Sequence, residues 1–146
     1  MEITSYKYTA AVQALIYCKW CNDNNVKATS STIAAAIGVD GTILRVTLTS
    51  LNQLGYVIAK PGPGGMLINE KYMSKTLLEL FDDLNEKEGN RKIRTVFNLY
   101  EPYNDGNKTI NKINKSLSKD VFNLDVFNRF SKITIRDIYE DTFVNN

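Results

Sequence analysis

The stretch Ser30–Ile68, SSTIAAAIGVDGTILRVTLTSLNQLGYVIAKPGPGGMLI, decides how this chain is read. Ser30 or Ser31 is placed to cap a short helix, because a hydroxyl there accepts from amides that the first turn leaves unpaired. Ile33, Ala34 and Ile37 give that helix an apolar face, and Ala35 and Ala36 are small enough for close packing. Gly38 ends it, since glycine tolerates the positive φ that closes a helix. Val39-Asp40-Gly41 then turns the chain, with Asp40 or Thr42 as the cap of a second helix. Along that helix Leu44, Leu48 and Leu51 recur at spacings of four and three, which makes one buried stripe. Thr42, Arg45, Val46, Thr49 and Gln53 fall on the opposite face. Gly55 stops the helix, Tyr56 to Lys60 has strand composition, and Pro61 to Gly65 is a turn that no helix survives. Met66 to Ile68 returns as the second strand of a hairpin.

A helical pair or a leucine stripe alone is an ordinary packing unit. The joined order is more specific: capped short helix, glycine turn, longer helix, glycine, hairpin. That is the sequence form of a winged helix-turn-helix, whose usual work is to set its second helix in a DNA major groove. The expected fold class is mainly α, with a small β-hairpin wing and a further long helix, a dimerisation helix if it pairs with a second copy.

Outside the motif, the spacing predicts a first helix over Ala10 to Asn22 and another over Tyr72 to Leu84, with Leu77, Leu80, Phe81 and Leu84 on one side. The charged, glycine-broken run EKEGNRKIR, Glu86 to Arg94, is the best linker candidate. It divides the chain into a head, 1–85, and a second part, 86–146, carrying linker, dimerisation helix and C-terminal helix. Tyr103 to Asn107 reads as a loop. From Thr109 a long helix is predicted, with Ile110, Ile113, Leu117, Val121, Leu124 and Phe127 at near-heptad intervals. Phe122, Val126 and Phe130 widen its apolar surface, so it must bury two sides, against this chain or against a second copy.

Composition sets outer limits. With 146 residues and a formal charge of +2, there is room for one small domain plus an arm. No apolar run has the length of a membrane span, and no signal peptide is indicated, so a cytoplasmic protein is expected. Up to Glu70 the cations Lys7, Lys19, Lys27, Arg45 and Lys60 nearly balance Glu2, Asp23, Asp40 and Glu70. Few ionic phosphate contacts are therefore expected. Helix-end amides and the hydroxyls of Ser30, Ser31, Thr32 and Thr42 are the alternative means of positioning phosphates.

Histidine is absent, which removes the usual acid–base and nucleophile-activating arrangements, so no enzyme is expected. Gly62-x-Gly64-Gly65 lacks the lysine and following helix of a phosphate-binding loop and reads as a wing tip. Cys18-Lys19-Trp20-Cys21 falls at the carboxyl end of the first helix, where the dipole does not activate a thiol. Cys18 continues the Ala11, Leu15 stripe, so a core role is expected, with a thiol switch as the alternative. Two cysteines without histidine do not fill a zinc site, and no metal or other cofactor is expected.

The run Ile33-Ala34, Gly38-Val39, Leu44, Leu48, Leu51, Gly55-Tyr56-Val57 and Gly62-Pro63-Gly64-Gly65 resembles the "Rrf-two" family of bacterial winged helix-turn-helix transcription regulators. Ile3 to Ile16 looks like that family's first helix, and Ile133 to Ile138 looks like its closing helix. The likeness is dense from Ser30 to Ile68 and thin from Met73 to Lys132. It implies a homodimeric, sequence-specific DNA-binding regulator, more often a repressor, on a near-palindromic operator. DNA contacts would then fall to Ser30, Ser31, Thr42, Ile43, Arg45, Val46, Thr49 and Lys60, and dimer contacts to Ile110, Ile113, Leu117, Val121, Leu124 and Phe127. In the family the wing carries a basic residue into the minor groove; here Pro61 stands near that place, with Lys60 just before it.

Members with an iron–sulfur cluster hold it by cysteines in the segment leading into the dimerisation helix. Here that segment, Phe97 to Gly106, contains none, which points to a branch without cluster ligands. Two other readings remain open at this stage. One is a winged-helix protein-interaction module without DNA binding, and the other is a thiol-switch regulator using Cys18 and Cys21.

Overall fold

The computed structural model describes residues 5–60, 65–87, 109, 112–113 and 124–144. Helix α1 spans Ser5–Asp23, longer at both ends than expected because no glycine or proline interrupts that stretch. It is the hub of the fold. Tyr8, Ala11, Ala14, Leu15, Cys18 and Cys21 are all buried along it, and the alanines let neighbouring elements come close.

The helix-turn-helix follows as α2, Ser30–Ile37, and α3, Gly41–Leu54, with a bend of 120° between them. The cap of α2 is Thr29, not Ser30 or Ser31. Thr29 is extended (φ −89°, ψ 158°), and its hydroxyl oxygen accepts from the Thr32 amide at 3.1 Å, a geometry unavailable to a residue already inside the helix. Asp40 caps α3, accepting from the amides of Thr42 at 2.8 Å and Ile43 at 3.4 Å. Gly55 ends α3 at φ +94°, and a Cβ there would come within 2.9 Å of the Tyr72 hydroxyl. Leu44, Leu48 and Leu51 are buried, as the spacing predicts.

The wing is a two-stranded antiparallel sheet, β1 (Val57–Ala59) and β2 (Met66–Ile68), in register Val57↔Ile68, Ile58↔Leu67, Ala59↔Met66. Its tip, 61–64, lies outside the described residues. Asn22 on α1 clamps β2 from the side, its carbonyl accepting from the Ile68 amide at 2.7 Å and its amide donating to the Met66 carbonyl at 3.0 Å. Gly65 sits at φ +77° with an ideal Cβ position 3.0 Å from the Ala28 amide nitrogen, so the backbone approach at the root of the wing leaves no space for a side chain.

The expected helix over Tyr72 to Leu84 is divided. A 3₁₀ turn at Glu70–Ser74 and an extended Lys75 precede α4, Leu77–Lys87. The break comes from local capping. Thr76 and Glu79 form a reciprocal pair, with the Glu79 amide donating to the Thr76 hydroxyl and the Thr76 amide to the Glu79 carboxylate, each at 3.0 Å. Leu77, Leu80, Phe81 and Leu84 are buried as expected.

Two further helices are described toward the C-terminus: α5, Leu124–Phe130, and α6, Ile135–Phe143. The Ile135 amide donates to the Lys75 carbonyl at 2.9 Å and the Leu77 amide to the Ile133 carbonyl at 2.8 Å, which ties the C-terminal segment to the start of α4. A capping box between Thr134 and Asp137 opens α6. Helix α6 is fixed to α1 by the Tyr139 hydroxyl, which donates to Asp23 at 2.6 Å, and to the 3₁₀ turn by Arg136, 3.4 Å from Glu70. The hydrogen bond from Tyr139 first, with the hydrogen bond and charge of Lys19 behind it, holds the Asp23 carboxyl below its usual range against the opposing effect of burial.

Among the dimerisation candidates, Ile110, Leu117 and Val121, and the side chain of Leu124, fall outside the described residues. Ile113 is 48% exposed. Phe127 faces inward instead: it is 5% exposed, with its ring centroid 5.0 Å from that of Phe81 on α4. Phe130 lies 5.7 Å from Tyr8 on α1. The aromatic face of α5 therefore adds to the head's own core, with Phe127 buried against Phe81 of the same chain.

Candidate nucleic-acid interface

The outward face of α3 is built by its inward one. Because the leucine stripe and the Asp40 cap fix the helix rotation and entry, Thr42, Arg45, Val46, Thr49 and Gln53 are all solvent-exposed. Ile43 is only half-buried, on the flank between the two faces. Arg45 Nη2 donates to the Thr42 hydroxyl at 3.3 Å, which leans the guanidinium back along the helix. The Thr49 hydroxyl donates to the Arg45 carbonyl at 2.8 Å, which spends its proton and leaves its methyl outward. Arg45 is the only charged residue in α3, so the face carries one cation and no carboxylate.

Phosphate positioning differs from the simplest expectation. The first amides of α3 are occupied by Asp40, whose carboxyl is held below its usual range by the hydrogen bonds from the Thr42 and Ile43 amides. The Thr32 amide of α2 is likewise taken by Thr29. Helix-end amides are thus partly used internally, and the freed groups are side chains. Since neither serine is the cap, Ser31 presents its hydroxyl at the surface and Ser30 is half-buried. Lys60 is exposed at the end of β1, where its amide donates to the Gly65 carbonyl at 3.1 Å. Lys27 was not singled out by sequence pattern, yet it is exposed immediately before Ala28, whose carbonyl accepts from the Met66 amide at 2.9 Å. Only the hairpin's docking onto that loop brings Lys27 to the root of the wing.

The helix pair, the outward face of α3 and the adjoining hairpin define a winged helix-turn-helix protein. The chain belongs to the Rrf2 family: the model of that family, described as iron-dependent transcriptional regulator, matches residues 4–141. It is a DNA-binding transcription regulator and not an enzyme. Among solved structures, it is similar to IscR of T. potens, with 17% identity, a TM-score of 0.59 and coverage of 93% of this chain and 85% of that one. It is also similar to a candidate transcriptional regulator from Lactobacillus plantarum, with 14% identity, a TM-score of 0.61 and coverage of 94% and 90%. A third similar chain, a candidate DNA binding protein, has 14% identity, a TM-score of 0.55 and coverage of 90% and 97%. At these identities the likeness is one of fold. No curated protein matches the sequence.

The iron in the family description does not fit the donor set of this chain. Iron–sulfur clusters are held by several thiolates, with imidazole as the common substitute. This sequence has two cysteines and no histidine. Both cysteines are completely buried on α1, and the Cys18 sulfur faces the Met66 carbonyl at 3.8 Å. Among the described residues no three histidine, cysteine or acidic side chains converge as a metal site. Protein purified without oxygen is expected to show no absorbance band beyond the aromatic region and to bind DNA equally with and without chelator. A visible chromophore with stoichiometric iron would contradict this reading of the ligands.

The same burial answers the thiol question. Burial first, and the neighbouring Cys21 second, push the Cys18 thiol up to about 12, and burial also raises Cys21. A thiol reacts as its thiolate, so burial and these shifts disfavour reaction of both groups at neutral pH. Iodoacetamide at pH 8 is expected to leave native protein unmodified and to label two sites after unfolding, as read by intact mass. Rapid labelling of the folded protein would restore the thiol-switch alternative.

Proposed function

We propose that this protein is a homodimeric repressor that binds a near-palindromic operator through α3, with its wing alongside. The observation that carries the reading is the outward face of α3: Thr42, Arg45, Val46 and Thr49 exposed together, one cation, no carboxylate, held in place by a buried leucine stripe. Phosphate contacts are assigned to Ser30, Ser31, Lys60 and Lys27, base contacts to Thr42, Arg45, Val46 and Thr49, with Ile43 at the edge. The low charge is consistent with tight positioning by hydroxyls and with a dimer doubling what one head supplies. Repression and a cytoplasmic setting rest on the family resemblance.

Dimerisation is assigned to the apolar positions Ile110, Ile113, Leu117, Val121 and Leu124, with Phe127 withdrawn to the core. Sedimentation at micromolar concentration is expected to give a dimer, and Leu117→Glu a monomer or insoluble protein. The two α3 helices would then meet successive major grooves roughly 34 Å apart. The functional test is a mobility shift with the duplex upstream of the protein's own gene, against an unrelated duplex of equal length. Selective retention of the upstream duplex supports the reading.

A second reading has one observation in its favour. Ile58 and Leu67 pair across the wing and are 51% and 36% exposed, an apolar surface that a protein partner can use. Equal, weak retention of both duplexes by a well-formed dimer would favour the protein-interaction module.

A further inference from the structure

Within α3, exposure alone does not say which side chain reaches deepest into a groove, but helix geometry does. Taking 3.6 residues per turn, the mean direction of Leu44, Leu48 and Leu51 lies about 180° from Val46, to within about 15°. Arg45 stands about a quarter-turn to one side. Val46 therefore projects almost directly away from the core, a direction shared only by Gln53 two turns further on, and it is 52% exposed in the middle of an otherwise hydroxyl-rich face. Thr49, three residues on and on the same face, has its hydroxyl turned back to the Arg45 carbonyl, so its methyl adds to the same apolar strip. A valine cannot hydrogen-bond to a base edge. In the major groove one base alone offers an apolar group, the 5-methyl of thymine.

We infer that Val46 is a specificity-determining residue that reads the 5-methyl group of a thymine in each operator half-site, beside the base reached by Arg45. The inference rests on the reading of α3 as the DNA-contacting helix and goes beyond it by naming the chemistry at the centre of the contact. Val46 supplies no charge and no hydrogen bond, so it contributes preference by covering the methyl and excluding water from it. Replacing thymine by deoxyuridine removes that methyl alone and leaves base pairing and every hydrogen-bonding edge intact.

The experiment has two stages and uses the full-length chain. Bound duplexes are first selected from a random pool. Each thymine of the selected site is then replaced singly by deoxyuridine, and affinities are measured by fluorescence anisotropy for wild type and Val46→Ala. Wild type is expected to lose about fourfold in affinity at one thymine per half-site, and about fifteenfold when both half-sites are substituted, the worth of one buried carbon each. Val46→Ala is expected to bind the thymine and deoxyuridine sites equally well, with wild-type sensitivity to changes at the base read by Arg45. Val46 is exposed, so the variant is expected to fold, which a thermal melt coincident with that of wild type would check; the deoxyuridine series on wild type needs no variant at all. If a defined site is selected and no thymine responds to loss of its methyl, the Val46 inference is overturned while the DNA-binding reading stands. If no site emerges from the pool, both fall together.

Discussion

Phe81→Ala is expected to lower the stability of the folded chain by about 3–5 kcal/mol, the range for removing a fully buried aromatic ring. Phe81 is 0% exposed. Its ring meets Tyr8 on α1 edge-on, at 5.2 Å and 77°, and Phe127 on α5 at 5.0 Å. One truncation therefore opens a cavity where three helices distant in sequence converge. A melting temperature lower by about 10 °C or more is expected from thermal circular dichroism. The prediction also bears on assembly. If Phe127 packs within its own chain, Phe81→Ala and Phe127→Ala are strongly coupled in a double-mutant cycle, and the coupling does not depend on protein concentration. Additive effects, or coupling that disappears on dilution, would show that Phe127 meets the partner's head instead. The Tyr8 hydroxyl adds a fixed point beside this cluster: it donates to the Leu77 carbonyl at 2.7 Å, and burial with the nearby Asp82 raises its ionisation well above the ordinary tyrosine range.

Arg45→Ala is expected to weaken binding to the selected operator by about 1–3 kcal/mol per half-site and to relax preference at one base pair in each. A guanidinium at this position reaches a guanine edge with two parallel hydrogen bonds, the commonest specific base contact. Its lean toward Thr42 at 3.3 Å and its exposed setting leave it free to turn into the groove, because the Thr42 contact is a single weak bond at the surface. If Arg45 touches phosphate only, all sequences weaken alike and the salt dependence becomes shallower. Unchanged affinity and unchanged preference would mean that α3 does not face DNA through this edge. A dimer doubles the loss, which makes Arg45→Ala the largest single-residue effect on binding expected here.

Phe81 and Arg45 owe their places to different sources. The position of Arg45 follows from a stripe of three leucines, because a helix of 3.6 residues per turn assigns every other residue its direction once one face is buried. The caps were nearly as legible. Asp40 caps α3 as its position suggests, whereas Thr29 takes the role given to Ser30 or Ser31, a displacement of one residue that turns on backbone angle and not on side-chain chemistry. The divided helix after Met73 had a signal in the sequence as well. Thr76-Leu77-Leu78-Glu79 is a capping-box pattern, and it prevails over the leucine spacing that predicts one continuous helix.

Phe127 shows why the remainder was not legible. Its spacing after Ile110, Ile113, Leu117, Val121 and Leu124 says that it is buried, and it is; spacing does not say against what. The same holds for Cys18, whose place on a stripe marks it as core but not as facing the Met66 carbonyl of β2. It holds for Asn22, a polar residue at a helix end until β2 lies beside it, and for Lys27, which acquires meaning only through the docking of the wing. Lys19, Asp23, Glu70, Arg136 and Tyr139 come from three separate segments and form one polar seam, with Lys19 2.6 Å from Glu70 and 3.1 Å from Asp23. The amino-acid sequence by itself determined the order of short helix, turn, recognition helix and hairpin, together with the face that α3 turns outward, because caps, glycine turns and helical periodicity act over a few residues. Tertiary structure alone decided which surfaces those elements cover, since a buried face states its apolarity and not its partner, and pairing across a hundred residues depends on how the whole chain packs.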